Sequence, residues 1–173
     1  MRIVEPKVRV VDSANQDERP PGTVISLVVL HSISLPPGEY GGDAIERLFT
    51  NRLDPEAHPY FRDIVHLRVS SHFLVRRDGA LVQFVPVARR AWHAGVSSWR
   101  ARSACNDFSV GIELEGTDDS AFEDAQYRAL AALLNSLPVR DIAAHSEVAP
   151  GRKTDPGAGF DWTRLLLDLA SNK

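Results

Sequence analysis

The sequence predicts a single α/β domain with one central mixed β-sheet and helices packed on its faces. Two observations lead to this prediction. Segments with strand and helix patterns alternate along most of the 173 residues, and only short proline- and glycine-rich stretches separate them. A chain of this length with 43% apolar residues can also bury a substantial core without a second domain. We therefore assign residues 1–173 to one domain, with a core of about 24–170.

The first strand is predicted where β-branched and other apolar residues run without interruption, from Val24 to Leu30. Such a run is typical of a strand that is buried on both faces, and it stops at His31. A short helix should follow over residues 42–50, with Asp43 as its N-cap. The apolar residues that recur there at helical spacing are Ile45, Leu48 and Phe49.

A β-hairpin is predicted next, with strands near 71–76 and 80–85. The dipeptide Asp78-Gly79 lies between them, and both residue types tolerate the positive φ angles of a tight turn. The residue pattern from Phe108 to Leu114 alternates with the period of two that is typical of a strand, which predicts a further strand there.

The last part of the chain reads as helix, strand, loop and helix. A helix is predicted over about 121–136, and a short strand from Asp141 to Ala144 leads directly into His145. Residues 146–160 contain two prolines and three glycines, which predicts a loop before a final helix that begins near Asp161. The residues expected to face inward on the two helices are Phe122, Leu130, Leu133, Leu134 and Leu137, then Trp162, Leu165, Leu166 and Leu169.

Composition excludes some partners. A net charge of -3 gives no broad positive field, so we expect no nucleic-acid partner. The first 22 residues lack the apolar stretch of a secretory signal or membrane anchor, so we expect a cytoplasmic protein with no membrane partner. We also expect a monomer. Cys105 is the only cysteine, which excludes an internal disulfide, and we interpret it as a structural residue.

Two histidines lie directly after predicted strands, where the active sites of open α/β sheets are built. These are His31 and His145, and Asp155 follows ten residues later in a loop long enough to fold back. Two histidines and a carboxylate are the protein ligands of a catalytic zinc site with an open fourth position. Spacing alone leaves the alternative open, since a single histidine after a strand is more often structural.

Longer sequence blocks favour the metal site. From Val29 to Trp162 the chain resembles type 2 amidases and peptidoglycan recognition proteins, and among them the bacterial amidases of anhydro-muramyl peptides. The blocks that carry this resemblance are HSISLPPGEYGG, DPEAHPYF, HLRVSSHFLVRRDGALVQFVP, RAWHAGVSSW, CNDFSVGIELEGTDD and HSEVAPGRKTDPGAGFDW.

The resemblance implies a zinc cofactor (Zn2+) held by His31, His145 and Asp155. It also implies that Glu113 is the general base and acid, and that Lys153 stabilises the oxyanion of the transition state. Alternation alone would not separate Glu113 from Glu115, because both lie on one face of a regular strand. The substrate-binding residues that we expect are Arg68, Trp92 and His93, whereas His58, His66 and His72 are expected to be structural.

The implied reaction is hydrolysis of the amide bond between N-acetylmuramic acid, in its 1,6-anhydro form, and the L-alanine of the stem peptide. A soluble muropeptide would then be the partner, in cytosolic cell-wall recycling. Two alternatives remain open: an amidase that acts on polymeric peptidoglycan, and a peptidoglycan-binding module without catalysis. Ser32 and Ala104 depart from the residues common in the resembling proteins, which puts the muropeptide preference in doubt.

Overall fold

The computed structural model describes residues 8–139 and 141–171. Within these residues the strands are β1 Val8–Val10, β2 Gln16–Asp17, β3 Leu27–Ile33, β4 Phe73–Val75, β5 Leu81–Gln83, β6 Arg90–Ala91, β7 Ser98–Trp99, β8 Arg102–Ser103, β9 Ser109–Glu115 and β10 Asp141–Ala144. The α-helices are α1 Ala44–Phe49, α2 Pro59–Ile64, α3 Asp124–Ser136, α4 His145–Val148 and α5 Trp162–Ser171. No helix in this described part is long and apolar enough to cross a bilayer.

Six strands form the central sheet in the order β1-β5-β4-β9-β3-β10. β4 and β5 are the antiparallel arms of the predicted hairpin, and every other neighbouring pair in the sheet is parallel. The mixed sheet is thus confirmed. β10 lies beside β3 in parallel register, so the chain after β10 emerges next to the end of β3. The structure therefore meets the condition under which His31 and His145 share one edge of the sheet.

The two faces of β3 and β9 serve different purposes. Val28 and Leu30 of β3 pack with Val110 and Ile112 of β9 into a core that α3 and α5 cover. Residues of the opposite parity, such as Leu27 and Val29, lie on the other face. His31 and Glu113 share that second face and pair with each other across the two strands.

The second face is covered in two separate parts. α1 and α2 pack over the β4–β5 half through Ile45, Phe49 and Phe61. Phe108 and Val148 pack over the β3–β10 half. The space between these two clusters is open at the carboxyl ends of the parallel strands, which is where ligand sites form in such sheets.

Three predictions about elements differ in detail from the structure. β3 begins at Leu27 and continues through Ile33, so His31 lies inside the strand, because β9 supplies pairing partners as far as Glu115. Asp43 is the N-cap residue of α1 as predicted, but its carboxylate makes no capping hydrogen bond and instead accepts one from Arg47. Leu166 is 61% exposed, because only the stripe of α5 near Leu165 meets the core.

The predicted helix boundaries also shift. α3 begins at Asp124, and Phe122 is buried ahead of it rather than within it. α2 was not predicted at all. His58 caps it, since Nδ1 of His58 accepts a hydrogen bond from the backbone nitrogen of Tyr60, and Pro59 occupies the first helical position.

Candidate metal centre and active site

The three predicted ligands come together beside the carboxyl-terminal part of β3. Ala144 of β10 pairs with Leu30 of β3, so the next residue, His145, lies beside His31 as the first residue of α4. The loop after α4 folds back, because the backbone nitrogen of Ser146 donates a hydrogen bond to the carbonyl of Asp155 over 3.1 Å. This backbone contact brings the Asp155 carboxylate to the two imidazoles.

Three ligand atoms converge on one point. Nδ1 of His31 lies 2.9 Å from Nδ1 of His145, and Oδ2 of Asp155 lies 3.3 Å from the first and 3.1 Å from the second. Ligand bonds of 2.0–2.2 Å in a tetrahedral site place ligand atoms about 3.4 Å apart. The donor set and its spacing therefore fit zinc, and these are the residues of the described chain that satisfy a metal-ligand geometry.

The protonation states also suit a cation. Burial lowers the pKa of His31 to about 4, against the opposing effect of the neighbouring Asp155 carboxylate. Burial acts to raise the pKa of Asp155, but the contacts of its carboxylate with the imidazoles of His145 and His31 outweigh burial, so this pKa lies below its ordinary value. Near neutral pH the cluster presents the uncharged His31 imidazole and the Asp155 carboxylate, the forms in which these side chains bind metals.

Glu113 faces this cluster from the neighbouring strand. Its Oε1 lies 4.0 Å from Nδ1 of His31, and its Oε2 is buried without a hydrogen-bond partner among the described residues. Burial raises the pKa of Glu113 well above the ordinary value, the charge of Asp155 adds to the rise, and Lys153 opposes it. A buried carboxyl with one oxygen uncommitted is suited to exchange a proton with a molecule in the groove.

Glu115 has a structural position. Its carboxylate accepts hydrogen bonds from Arg76 over 3.0 Å and from the backbone nitrogen of Gly41 over 2.7 Å. The backbone nitrogen of Arg77 donates to its other oxygen. The structure thus separates two carboxylates that strand alternation could not separate, and Glu113 is the one that faces the predicted ligands.

The ligand cluster lies at the base of an open groove of about 670 Å³. One wall is polar and includes Glu113, Lys153 and Thr154. An apolar wall comes from the loop after β3 and from the region of α1 and α2. Its residues include Leu35, Pro37, Leu48, Tyr60, Ile64 and Leu67.

The predicted substrate-binding residues lie in three different places. His93 lines the groove and contacts His31. Trp92 is not among the residues that line the groove, and its side chain instead contacts the carboxylate of Asp17. Arg68 is exposed after α2, where its guanidinium donates to the backbone carbonyls of residues 65–67, and it does not line the groove either.

Three of the four residues expected to be structural have packing or capping contacts, namely Cys105, His72 and the cap residue His58. Cys105 is fully buried, and burial raises the pKa of its thiol. Nδ1 of His72 accepts a hydrogen bond from the backbone nitrogen of Gly111. His66 is exposed.

Asp118 is a site residue that sequence reasoning missed. Oδ1 of Asp118 accepts a hydrogen bond from Ser32 over 3.0 Å, and Oδ2 accepts one from Thr154. Ser32 follows one ligand in sequence and Thr154 precedes another, so a single carboxylate ties together the segments that carry His31 and Asp155. The sequence signal was weak, because nothing local distinguishes Asp118 from its neighbour Asp119.

We predict that Asp118→Ala lowers zinc affinity about tenfold, because groups that hold metal ligands in place are worth 10–100-fold in affinity. The backbone hydrogen bond from Gly159 to the carbonyl of Asp118 survives the substitution, so the loop should stay docked. Competition with a chromophoric chelator measures the affinity. Asp119→Ala, which removes an exposed carboxylate, is the matched control, and equal affinities for the two variants would contradict the prediction.

Comparison with known proteins supplies an independent finding. Residues 21–158 match the family model described as N-acetylmuramoyl-L-alanine amidase. The 1,6-anhydro-N-acetylmuramyl-L-alanine amidase AmpD of Citrobacter freundii is 57% identical to this chain, over 96% of the chain and 94% of the relative.

Two solved structures are similar as well. The crystal structure of a selenomethionine derivative of AmpD has a TM-score of 0.88 at 53% identity, and the match covers 97% of this chain and 96% of that one. The amidase AmiD of Escherichia coli, in complex with anhydro-N-acetylmuramic acid-L-Ala-D-γ-Glu-L-Lys, has a TM-score of 0.59 at 28% identity. That match covers 87% of this chain and 60% of AmiD.

Proposed function

This chain belongs to the N-acetylmuramoyl-L-alanine amidase family, and we propose that it is a zinc hydrolase of 1,6-anhydro-muramyl peptides. The bond cut is the amide between the lactyl group of the muramic acid and the L-alanine of the stem peptide. The similarity to AmpD over nearly the whole length of both chains supports the anhydro form of the substrate. The substrate that is bound in the AmiD structure supports the same class of ligand.

The observation that carries the zinc proposal is the convergence of His31, His145 and Asp155 beside the uncommitted carboxylate oxygen of Glu113. Zinc at this position would supply Lewis-acid chemistry, which polarises a carbonyl oxygen and activates water. A non-catalytic binding module has no requirement for the Glu113 carboxyl at this point. The geometry therefore favours the enzyme over the recognition module.

The residues of the chain divide the reaction between them. Glu113 accepts the proton of the attacking water and delivers it to the nitrogen of the departing L-alanine. Lys153, on the polar wall of the groove, places a positive charge where the tetrahedral oxyanion develops. The apolar wall, which includes Tyr60 and Leu67, offers a face for the less polar side of the anhydro sugar.

The cellular role that follows from such a substrate is the recycling of soluble muropeptides in the cytoplasm. One chain contributes the ligands, Glu113 and Lys153, so the proposal needs no second subunit and is compatible with a monomer. An amidase of polymeric peptidoglycan would use the same residues, and the substrate test below separates the two.

We expect the purified protein to release free peptide and anhydro-N-acetylmuramic acid from an anhydro-muramyl tripeptide, as measured by mass spectrometry. A chelator should abolish the release, and stoichiometric zinc should restore it. Intact sacculi are the parallel substrate, and comparable cleavage of sacculi would favour the polymer amidase. If the zinc-loaded protein binds the tripeptide without cutting it, the enzyme assignment fails and the recognition module stands.

A further inference from the structure

We propose that His93 and Ser109 form a hydrogen-bond relay that fixes the tautomer of His31 and leaves its Nδ1 free of a proton. His93 is then a positioning residue that acts through His31. This inference rests on the proposed zinc centre, because Nδ1 of His31 is the atom that faces His145 and Asp155.

The relay consists of three consecutive hydrogen bonds. Nε2 of His31 lies 3.0 Å from Nδ1 of His93, and Nε2 of His93 lies 3.2 Å from Oγ of Ser109. Oγ of Ser109 in turn donates to the carbonyl of Cys105 over 2.6 Å. The chain of contacts therefore begins at the candidate metal centre and ends at a backbone carbonyl, which can only accept.

The carbonyl of Cys105 at the end of the relay determines which atom is the donor in each of the three hydrogen bonds. A serine hydroxyl has one proton, and in Ser109 that proton is committed to the carbonyl of Cys105. The Ser109 oxygen must accept from Nε2 of His93, so Nδ1 of His93 carries the lone pair. Nδ1 of His93 then accepts the proton on Nε2 of His31. The neutral His31 ring has no second proton, and Nδ1 keeps its lone pair for the metal.

The strand that carries Glu113 is shaped to hold this relay. Ser109, Gly111 and Glu113 alternate along one face of β9. A Cβ atom at Gly111 would lie 2.4 Å from Cγ of His93, so only glycine leaves room for the imidazole. This explains an otherwise unfavourable glycine in the middle of a buried strand.

Ala94, the residue after His93, orients the second histidine ligand, His145, in the same way. Nε2 of His145 lies 3.3 Å from the carbonyl oxygen of Ala94, which leaves Nδ1 of His145 toward the ligand cluster. Oδ1 of Asn106 accepts hydrogen bonds from the backbone nitrogens of both His93 and Ala94, at 3.2 Å and 2.8 Å. One anchored segment thus orients both histidine ligands, in keeping with the rule that a ligating histidine donates its other N–H to a fixed acceptor.

The tautomer can be measured directly in metal-free protein. Long-range ¹H–¹⁵N correlation spectra of protein labelled with ¹⁵N-histidine distinguish a proton on Nε2 from one on Nδ1. We expect His31 of the wild type to carry its proton on Nε2 at neutral pH. A proton on Nδ1 would overturn the proposal, whatever the amidase activity.

Variants test the relay link by link. Ser109→Ala removes the acceptor for His93, and we expect a mixture of His31 tautomers and a roughly tenfold loss of zinc affinity. His93→Leu should have the same effect or a larger one. His93→Gln is the conservative rescue, because an amide can accept from His31 and donate to Ser109, so zinc affinity should stay within about threefold of wild type. His66→Leu, at an exposed histidine, is the matched control.

The outcomes separate this inference from the proposed function. Wild-type zinc affinity in folded Ser109→Ala and His93→Leu would refute the relay. If either variant fails to fold, as judged by circular dichroism, the wild-type tautomer and His93→Gln decide the question. A correct tautomer and an intact zinc site in a protein that cleaves no muropeptide would refute the proposed function and leave the relay standing.

Discussion

Glu113→Gln is expected to lower kcat for the anhydro-muramyl tripeptide about 10²–10⁴-fold, the range typical of losing a general base and acid. Glutamine keeps the size of the side chain but cannot accept or deliver a proton. The Glu113 carboxyl lies 4.0 Å from Nδ1 of His31 and is not one of the proposed zinc ligands, so zinc content should stay at one per chain. KM should change far less than kcat, because the lost interaction acts in the transition state.

Glu115→Gln is the matched control for this prediction. It makes the same chemical change two residues along the same strand, but its carboxylate is bonded to Arg76 and to the backbone of Gly41. We expect a lower melting temperature, since hydrogen bonds to a buried charged group contribute about 1.5–3 kcal/mol each. Its kcat should stay within about threefold of wild type, as expected for a residue outside the proton-transfer step. The assignment of Glu113 fails if the two variants lose kcat to the same extent.

The contrast between these glutamates shows a difference that the sequence pattern could not predict. Strand alternation places Glu113 and Glu115 on one face, and the resemblance alone separated them. The physical difference comes from Arg76, which is 39 residues away in sequence and reaches only one of the two. A pairing between distant segments has no local signal, so periodicity could not predict it.

The ligand cluster was predictable because its geometry follows from topology. Parallel strands that lie side by side end at one edge, so a histidine at the end of each shares that edge. β3 and β10 are such neighbours, and Asp155 needed only a loop long enough to return. The sequence pattern therefore predicted the convergence of His31 and His145 only on the condition that their strands are neighbours, and the resemblance favoured the full set with Asp155. It also placed His31 after the strand, whereas the structure places it inside.

The surroundings of the cluster were less predictable, because they depend on side-chain directions in loops. We predicted His93 as a substrate contact, whereas its ring also lies against His31 and makes the relay possible. The informative local signal was Gly111, since glycine inside a buried strand often marks a close approach by another group. The prediction that Leu166 faces inward was wrong for a different reason. A helix at the surface buries only the narrow stripe of side chains that meets its neighbour.

Asp155→Ala is expected to remove zinc from the purified protein and to lower kcat/KM at least about 10³-fold. Changes to the outer partners of metal ligands already cost 10–100-fold in affinity, so the loss of a ligand should cost more than that. The substitution leaves two imidazole nitrogens 2.9 Å apart without the neighbouring anion that favours a cation between them. Zinc content by atomic emission and steady-state kinetics measure the two effects separately.

Asp155→Cys distinguishes the loss of a ligand from damage to the loop. A thiolate is a zinc ligand, so this variant should recover stoichiometric zinc, whereas the alanine variant does not. Asp161→Ala lies in the same part of the chain and removes the oxygen that accepts a hydrogen bond from the backbone nitrogen of Arg164. It should lower the melting temperature and leave zinc content unchanged. If Asp155→Ala retains one zinc per chain, the carboxylate is not a ligand, and the metal site must be assigned to other residues of the groove.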